Sequence, residues 1–285
     1  MLFIKALQRQ QQAVRNHPIV FLLLLIIAGV ILYQAYAANS WLHPIGYLVA
    51  MWVCALVTDL FTINSKPKEL PVRKPMRETI FALVFIALGI AGLWLRFVAL
   101  DWEAIPGVLR LTIVALMFLG AMQIGMAITL LLSKYKLGDL GFRLSPLILL
   151  CLPIIGITAL TAYLVGTSFT FAKILEEVGG IGGMLVSGLI MAALPEEFMR
   201  MVLQTRLGAL LNNKATGWFI ACLLWALLHV PKWYSDGDLA GAMLGAVNIM
   251  PIGLMWSYII HRTKNILPSI LVHGFNGWGL QNLRL

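Results

Sequence analysis

A succession of long apolar runs is the feature that most limits what this chain can fold into. Each run is long enough, or nearly so, to cross a hydrocarbon core of about 30 Å as a helix. Of the 285 residues, 60% are hydrophobic and 12% are charged, whereas soluble domains carry about 25% charged residues. The sequence therefore predicts an all-α, polytopic membrane bundle of about eight or nine transmembrane helices. The predicted spans are approximately 18–38, 43–63, 79–100, 108–132, 146–171, 180–211, 216–230, 239–261 and 266–283.

The positive charges indicate how these spans are oriented. A formal net charge of +9 would suggest a nucleic-acid partner in a soluble protein, but here Lys and Arg cluster in short loops between alternate apolar runs, as cytoplasmic loops do. Residues 66–77 alone carry five of them. We therefore expect an integral, multi-pass membrane protein with a cytoplasmic N-terminus and no nucleic-acid partner.

A charged cluster interrupts the apolar run 180–211. Glu196, Glu197 and Arg200 lie near its middle, where each charge costs about 2.5–3.5 kcal/mol unless it faces the protein interior or a water-filled cavity. Arg200 follows Glu196 by four residues and Glu197 by three, so its side chain can reach back to either carboxylate along one helical face. The cluster indicates a functional site, with an ion pair that only holds helices together as the alternative.

Further polar residues at membrane depth occur in the last spans. Trp225 and His229 are four residues apart, and His273 and Asn276 are three apart, so each pair shares a helical face. Gly274 permits the close approach of a neighbouring helix. The first five predicted spans carry no comparable set of polar residues. Their concentration in the last spans favours a functional site over histidines that only pack and hydrogen-bond within the bundle.

The residue types suit hydrolysis. A carboxylate can accept a proton from water, a histidine can position the water or polarise a carbonyl, and an asparagine amide can stabilise an oxyanion. Two histidines and a glutamate also match a common zinc donor set, which makes His229 and His273 candidate ligands of a divalent metal. No His-Glu-x-x-His motif supports zinc independently, and no Gly-x-Ser-x-Gly motif supports a serine nucleophile.

At these residues the sequence resembles the CPBP family, the CAAX-protease and bacteriocin-processing (Abi) group of intramembrane proteases. The family motifs are Glu-Glu-x-x-x-Arg, Phe-x-x-x-His and His-x-x-x-Asn/Asp on successive helices, and the resemblance extends over roughly 180–281. It implies a catalytic core at 172–285, preceded by N-terminal spans of unassigned role at 1–171. It also implies catalytic roles for Glu196, Glu197, His229, His273 and Asn276, with Arg200 and Trp225 supporting the site.

Three positions depart from the family pattern. The first motif is one residue short, which leaves open whether Glu196 or Glu197 is the base. Trp225 replaces the usual phenylalanine, and Asn276 is at the third rather than the fourth place after His273.

The resemblance implies a bacterial-type intramembrane endopeptidase of the inner (cytoplasmic) membrane. Such an enzyme acts on a membrane-associated, prenylated or otherwise processed peptide or protein, in contact with the lipid bilayer. Two alternatives remain open. One is a catalytically degenerate member that acts as a binding scaffold or regulator, and the other is a transporter, since ionisable residues also mark ion pathways. The sequence gives no indication of the oligomeric state.

Overall fold

The computed structural model describes residues 1–101, 103–114, 125–165, 176, 179–234 and 237–276. Every regular element in these ranges is helical, which confirms the predicted all-α fold. The α-helices are α1 (Leu2–Asn16), α2 (Pro18–Ala37), α3 (Leu42–Thr62), α4 (Pro75–Trp94), α5 (Gly107–Val114), α6 (Gly125–Leu132), α7 (Cys151–Leu164), α8 (Gly180–Met184), α9 (Leu194–Leu210), α10 (Lys214–Leu227), α11 (Val230–Trp233), α12 (Leu239–Thr263) and α13 (Leu267–Asn276). Leu95–Ala99 and Leu185–Ala193 are π-helical, and Leu137–Leu140 and Pro146–Leu150 are 3₁₀-helical.

Seven helical stretches in the described part of the chain are long and apolar enough to cross a membrane. They confirm a multi-pass membrane architecture but not the predicted count of eight or nine. The fourth predicted span, 108–132, overlaps α5 and contains α6, with 115–124 outside the described residues. The last, 266–283, is described only as far as the end of α13. The seven stretches are Pro18–Ala37, Leu42–Thr62, Pro75–Ala99, Pro146–Leu164, Gly180–Leu210, Lys214–Trp233 and Leu239–Thr263.

The helices form two compact units. The first unit comprises the described parts of 1–70, 141–197 and 251–285, and the second comprises those of 71–140 and 198–250. Helices α9 and α12 contribute residues to both units. The sequence predicted N-terminal spans at 1–171 and a catalytic core at 172–285. This division is one of function, and the two structural units do not test it, so it stays a prediction.

In the first unit, α13 packs against the π-helical segment Leu185–Ala193 and against α7, which also packs against α3. Gly274 lies in the first of these contacts. A Cβ atom at this position would displace the end of the Leu189 side chain and would lie 3.5 Å from the backbone carbonyl carbon of Gly188. The absence of a side chain therefore lets the two elements approach closely, as small residues do between membrane helices.

A proline inside α12 is compensated by a tyrosine from α3. Pro251 has no N–H and crowds the carbonyl one turn earlier, which interrupts the helical hydrogen-bond pattern. The next amide, the N–H of Ile252, donates to the hydroxyl of Tyr47 at 3.0 Å. The buried backbone N–H of Ile252 thus has a hydrogen-bond acceptor, which a backbone amide at membrane depth requires because no water is available there.

A buried carboxylate anchors the N-terminal helix α1 in the first unit. Asp59 of α3 is fully buried, and its Oδ1 atom lies 3.4 Å from the guanidinium of Arg9 and 2.6 Å from that of Arg262. Its Oδ2 atom accepts hydrogen bonds from Tyr258 at 2.8 Å and from Gln10 at 3.2 Å. One carboxylate therefore joins α1, α3 and α12, and its charge is compensated by two cations.

In the second unit, α9 and α10 form a tight helical hairpin. The side chain of Asn213 accepts hydrogen bonds from the N–H groups of Ala215 and Thr216 and so caps the start of α10. Beyond this cap the two backbones nearly touch. A Cβ atom at Gly217 would lie 2.3 Å from the backbone nitrogen of Gly208, so only glycine fits there.

Substitution of Gly217 by alanine tests this close approach. We expect Gly217→Ala to destabilise the protein by about 1–3 kcal/mol, because the clash is with backbone, which cannot rotate away. The measurement is the thermal unfolding of the purified protein. Gly156→Ala is the control, since a Cβ there meets nothing within 4 Å. Equal melting temperatures for the two variants would contradict the proposed contact.

Candidate active site

The two glutamates lie in the first turn of α9, directly after the π-helical segment Leu185–Ala193. Pro195 accounts for the irregular backbone, because it has no N–H to donate to the preceding turn and its ring crowds the carbonyl there. Widened turns of this kind are frequent at functional sites. The irregular segment precedes the glutamates and so helps to determine where they lie.

Glu197 is paired with His273. The Oε1 atom of Glu197 lies 2.7 Å from Nδ1 of His273, and the glutamate is fully buried while the histidine is 3% exposed. A carboxylate so far from water requires donors for its oxygens. The short distance is typical of a charge-assisted hydrogen bond, with the N–H of Nδ1 donating to the carboxylate.

The second oxygen of Glu197 is held by Ser269. The hydroxyl of Ser269 lies 2.6 Å from Oε2 of Glu197 and 3.0 Å from the carbonyl oxygen of Trp256. A hydroxyl has one proton, and the shorter contact is with the carboxylate, so we assign the proton there. Sequence reasoning missed Ser269. The signal that was available is its position four residues before His273, on the same face of α13.

The ring of His273 is held by Trp256. The indole lies face to face with the imidazole, with a distance of 3.8 Å between ring centroids and 15° between ring planes. This contact fixes the plane of the imidazole ring and therefore the directions in which its two nitrogens can form hydrogen bonds. Sequence reasoning also missed Trp256, because a contact between α12 and α13 leaves no pattern within either helix.

Glu196 faces the other side of the same imidazole. Its Oε2 atom lies 3.8 Å from Nε2 of His273, and its side chain is 17% exposed. This distance is too long for a direct hydrogen bond. A water molecule beside the pair would lie within hydrogen-bond distance of both atoms, and its two contacts would meet at the water oxygen at roughly a right angle. The two glutamates, which the sequence left equivalent, therefore differ in burial and in partners.

Arg200 and Trp225 form a pair in the second unit. The guanidinium carbon of Arg200 lies 4.4 Å from the centroid of the Trp225 ring, over its face. Both residues are buried, with exposures of 0% and 2%. A buried arginine held over an indole ring is a cation–π contact, which is stronger where water is excluded.

His229 continues this group. Its ring meets the edge of the Trp225 ring at 4.9 Å between centroids and stacks on Trp233 at 5.6 Å. Its Nδ1 atom lies 3.0 Å from the carbonyl oxygen of Trp225. Because a carbonyl only accepts, Nδ1 carries the proton, so in the neutral form of the ring Nε2 is the acceptor nitrogen. An acceptor nitrogen is what a water proton or a metal ion would require.

The first unit thus brings together Glu196, Glu197 and His273, and the second brings together Arg200, Trp225 and His229. The backbone of Asn276 ends α13, and its side chain lies outside what is described, so its role stays a prediction. Among the described residues, no group of three or more His, Cys, Asp or Glu side chains is placed to share one metal ion. The zinc ligand set suggested for His229 and His273 therefore also stays a prediction.

The described residues thus place a buried glutamate–histidine pair inside a multi-pass helical protein. Residues 178–279 match the family of type II CAAX prenyl endopeptidases described as Rce1-like, and the matched segment includes every motif residue from Glu196 to Asn276. The match confirms the predicted resemblance to CAAX proteases, a family of membrane-embedded peptide hydrolases. No curated protein and no solved structure matches the chain.

Removal of the Ser269 hydroxyl tests how Glu197 is held. We expect Ser269→Ala to lower the free energy of unfolding by about 1–3 kcal/mol, because one oxygen of a buried carboxylate loses its donor. Thermal unfolding of the purified protein measures the loss. Ser187→Ala is the control, because the hydroxyl of Ser187 is exposed and, among the described residues, hydrogen-bonds only to the Gly183 carbonyl four residues earlier. An unchanged melting temperature for Ser269→Ala would contradict the assignment.

Proposed function

We propose that this chain is an intramembrane endopeptidase that hydrolyses a peptide bond of a membrane-associated or prenylated substrate with a glutamate-activated water. The observation that carries the proposal is the position of His273 between two carboxylates. Its Nδ1 atom lies 2.7 Å from the buried Glu197, and its Nε2 atom lies 3.8 Å from the partly exposed Glu196. The match of 178–279 to CAAX endopeptidases supports the same reaction class.

Glu196 is the proposed general base. It is the more exposed of the two glutamates, and a water beside it reaches both its Oε2 atom and Nε2 of His273. The carboxylate accepts a proton from this water as the oxygen attacks the scissile carbonyl, and the protonated glutamate then donates that proton to the leaving amine.

Glu197 is a positioning residue in this scheme. Both of its oxygens accept a hydrogen bond, from His273 and from Ser269, and its side chain is fully buried, so water has less access to it than to Glu196. Its negative charge holds the imidazole in the form with a proton on Nδ1, and Trp256 holds the plane of the ring. A carboxylate that orients a histidine in this way fixes both its tautomer and its direction.

The remaining family positions are assigned supporting roles. Asn276 stabilises the oxyanion of the tetrahedral intermediate, and His229 positions water or substrate through Nε2. Arg200 and Trp225 keep the start of the second motif in place. A divalent metal with His229 or His273 among its ligands would instead supply Lewis-acid activation of the water. Sensitivity of cleavage to a chelator distinguishes this alternative.

The two glutamates predict different kinetic results. We expect Glu196→Gln to lower kcat/KM by about 100- to 10,000-fold, because the proton acceptor is lost. Glu197→Gln should lower it by a smaller factor, about 10- to 100-fold, and should shift the pH profile of kcat/KM, since a charge beside His273 disappears. The assay is cleavage of a panel of membrane-anchored and prenylated peptides by the purified protein.

Glu103→Gln serves as the matched control, because Glu103 is 87% exposed and pairs only with Arg110 among the described residues. The reverse order of effects, with Glu197→Gln inactive and Glu196→Gln active, would assign the base to Glu197. Full activity in both variants would rule out this mechanism.

The histidine variants and a chelator separate the remaining alternatives. We expect His273→Gln and His229→Ala to lose cleavage while the wild type keeps its rate in the presence of a strong zinc chelator. Loss of the wild-type rate with chelator, restored by zinc, would favour the metal-bound water. Retention of the cellular function by folded histidine variants would instead favour a binding scaffold, and solute or proton flux in proteoliposomes that Glu196→Gln abolishes would favour a transporter.

A further inference from the structure

The second unit contains a cavity that the proposed peptidase chemistry does not use. Its volume is about 470 Å³, and it lies beside the N-terminal half of α4 and the described helix α6. This size falls within the range of about 300–1,000 Å³ typical of small-molecule sites. Its lining combines three basic residues, Arg73, Lys74 and Arg77, here called the mouth, with a larger apolar part, here called the wall, so the lining is amphipathic.

Three cations line the mouth. Arg73, Lys74 and Arg77 all contribute to the lining. Arg73 donates through its guanidinium to the carbonyl oxygens of Ser133 and Lys134 at 3.0 and 3.1 Å, contacts that fix its position without neutralising its charge. Among the residues described, neither Lys74 nor Arg77 forms an ion pair with a carboxylate.

The one carboxylate in the described lining is already compensated. Glu78 lies 3.0 Å from Nε of Arg206 through its Oε2 atom, and its Oε1 atom accepts hydrogen bonds from Tyr135 at 2.7 Å and from the backbone N–H of Lys74 at 2.9 Å. Burial, and then the hydrogen bond to Glu78, raises the pKa of the Tyr135 phenol, so this donor stays protonated at neutral pH. Glu78 therefore leaves the three cations at the mouth uncompensated.

Most of the remaining lining is hydrocarbon, and it begins directly beside the charges, since the Arg77 guanidinium lies over the Phe81 ring at 5.4 Å. Phe81, Ala82 and Phe85 of α4 form this wall together with Leu130 and Val202. An inorganic anion would satisfy the mouth and leave this wall without a partner. A ligand with one negative group and an attached apolar chain would match both parts.

The position of the mouth in the chain points to the source of such a ligand. It lies where the basic loop 66–77 meets the start of α4, a loop that the distribution of Lys and Arg predicts to be cytoplasmic. The cytoplasmic leaflet carries anionic lipids, and basic pockets between transmembrane helices on that side bind their headgroups.

We propose that this cavity binds an anionic phospholipid, with the phosphodiester between Lys74 and Arg77 and one acyl chain along Phe81, Ala82 and Phe85. The volume accommodates the phosphodiester and the first part of a chain rather than a whole lipid. The remainder of the molecule lies in the bilayer. This inference does not depend on the proposed peptidase activity, because none of these residues belongs to the candidate active site.

The test is lipid binding by the purified chain in a nonionic detergent. Phosphatidylglycerol or phosphatidylcholine is titrated in, and bound lipid is counted by native mass spectrometry. We expect the wild type to bind phosphatidylglycerol about tenfold more tightly than phosphatidylcholine, and the double variant Lys74→Ala/Arg77→Ala to lose most of this preference. Ala82→Phe should also weaken phosphatidylglycerol binding, because the new side chain fills the apolar part of the cavity.

The control is Lys66→Ala/Lys68→Ala, which removes the same charge from the same loop at positions that do not line the cavity. Equal affinities for the two lipids would overturn the proposal, as would an equal loss in the control pair or no effect of Ala82→Phe. Full competition by excess inorganic phosphate would indicate a soluble anion instead of a lipid. If the alanine pair lowers the melting temperature, the variants Lys74→Gln and Arg77→Gln replace it in the same comparison.

Discussion

Burial of negative charge in an apolar bundle is the constraint on which the rest of this structure depends. A carboxylate at membrane depth is stable only if the fold supplies donors or cations for its oxygens. Glu197 receives one donor from His273 and one from Ser269, both on α13. The glutamate at the start of α9 therefore fixes where α13 must lie, and the same two contacts orient the imidazole proposed to act in catalysis.

The same requirement is met at two other buried carboxylates. Asp59 holds α1 and α12 against α3 through Arg9 and Arg262, and Glu78 holds α4 to α9 through Arg206. Each carboxylate lies far in sequence from its cation, so each contact links helices that the chain does not place side by side. Removal of one partner from such a pair leaves an uncompensated charge, which costs more than the pair itself contributes.

Helix irregularities have an equally specific physical origin. Pro195 follows a π-helical segment, and Pro251 lies inside α12. The helix is irregular at each proline because a residue without an N–H cannot complete the helical hydrogen-bond pattern. In both places the interruption is close to functional or buried polar groups. At Pro251 the hydroxyl of Tyr47 binds the neighbouring amide, so the interruption remains compatible with membrane depth.

The sequence alone determined the helical membrane class, the family resemblance and the polar positions of the last spans. Apolar run length and helical spacing are local properties, and they required no knowledge of neighbouring helices. Tertiary structure decided which groups meet: it paired Glu197, and not Glu196, with Nδ1 of His273, and it added Ser269 and Trp256. These contacts join different helices, whose relative rotation and depth are set by packing around glycines such as Gly274 and by the compensation of buried charge.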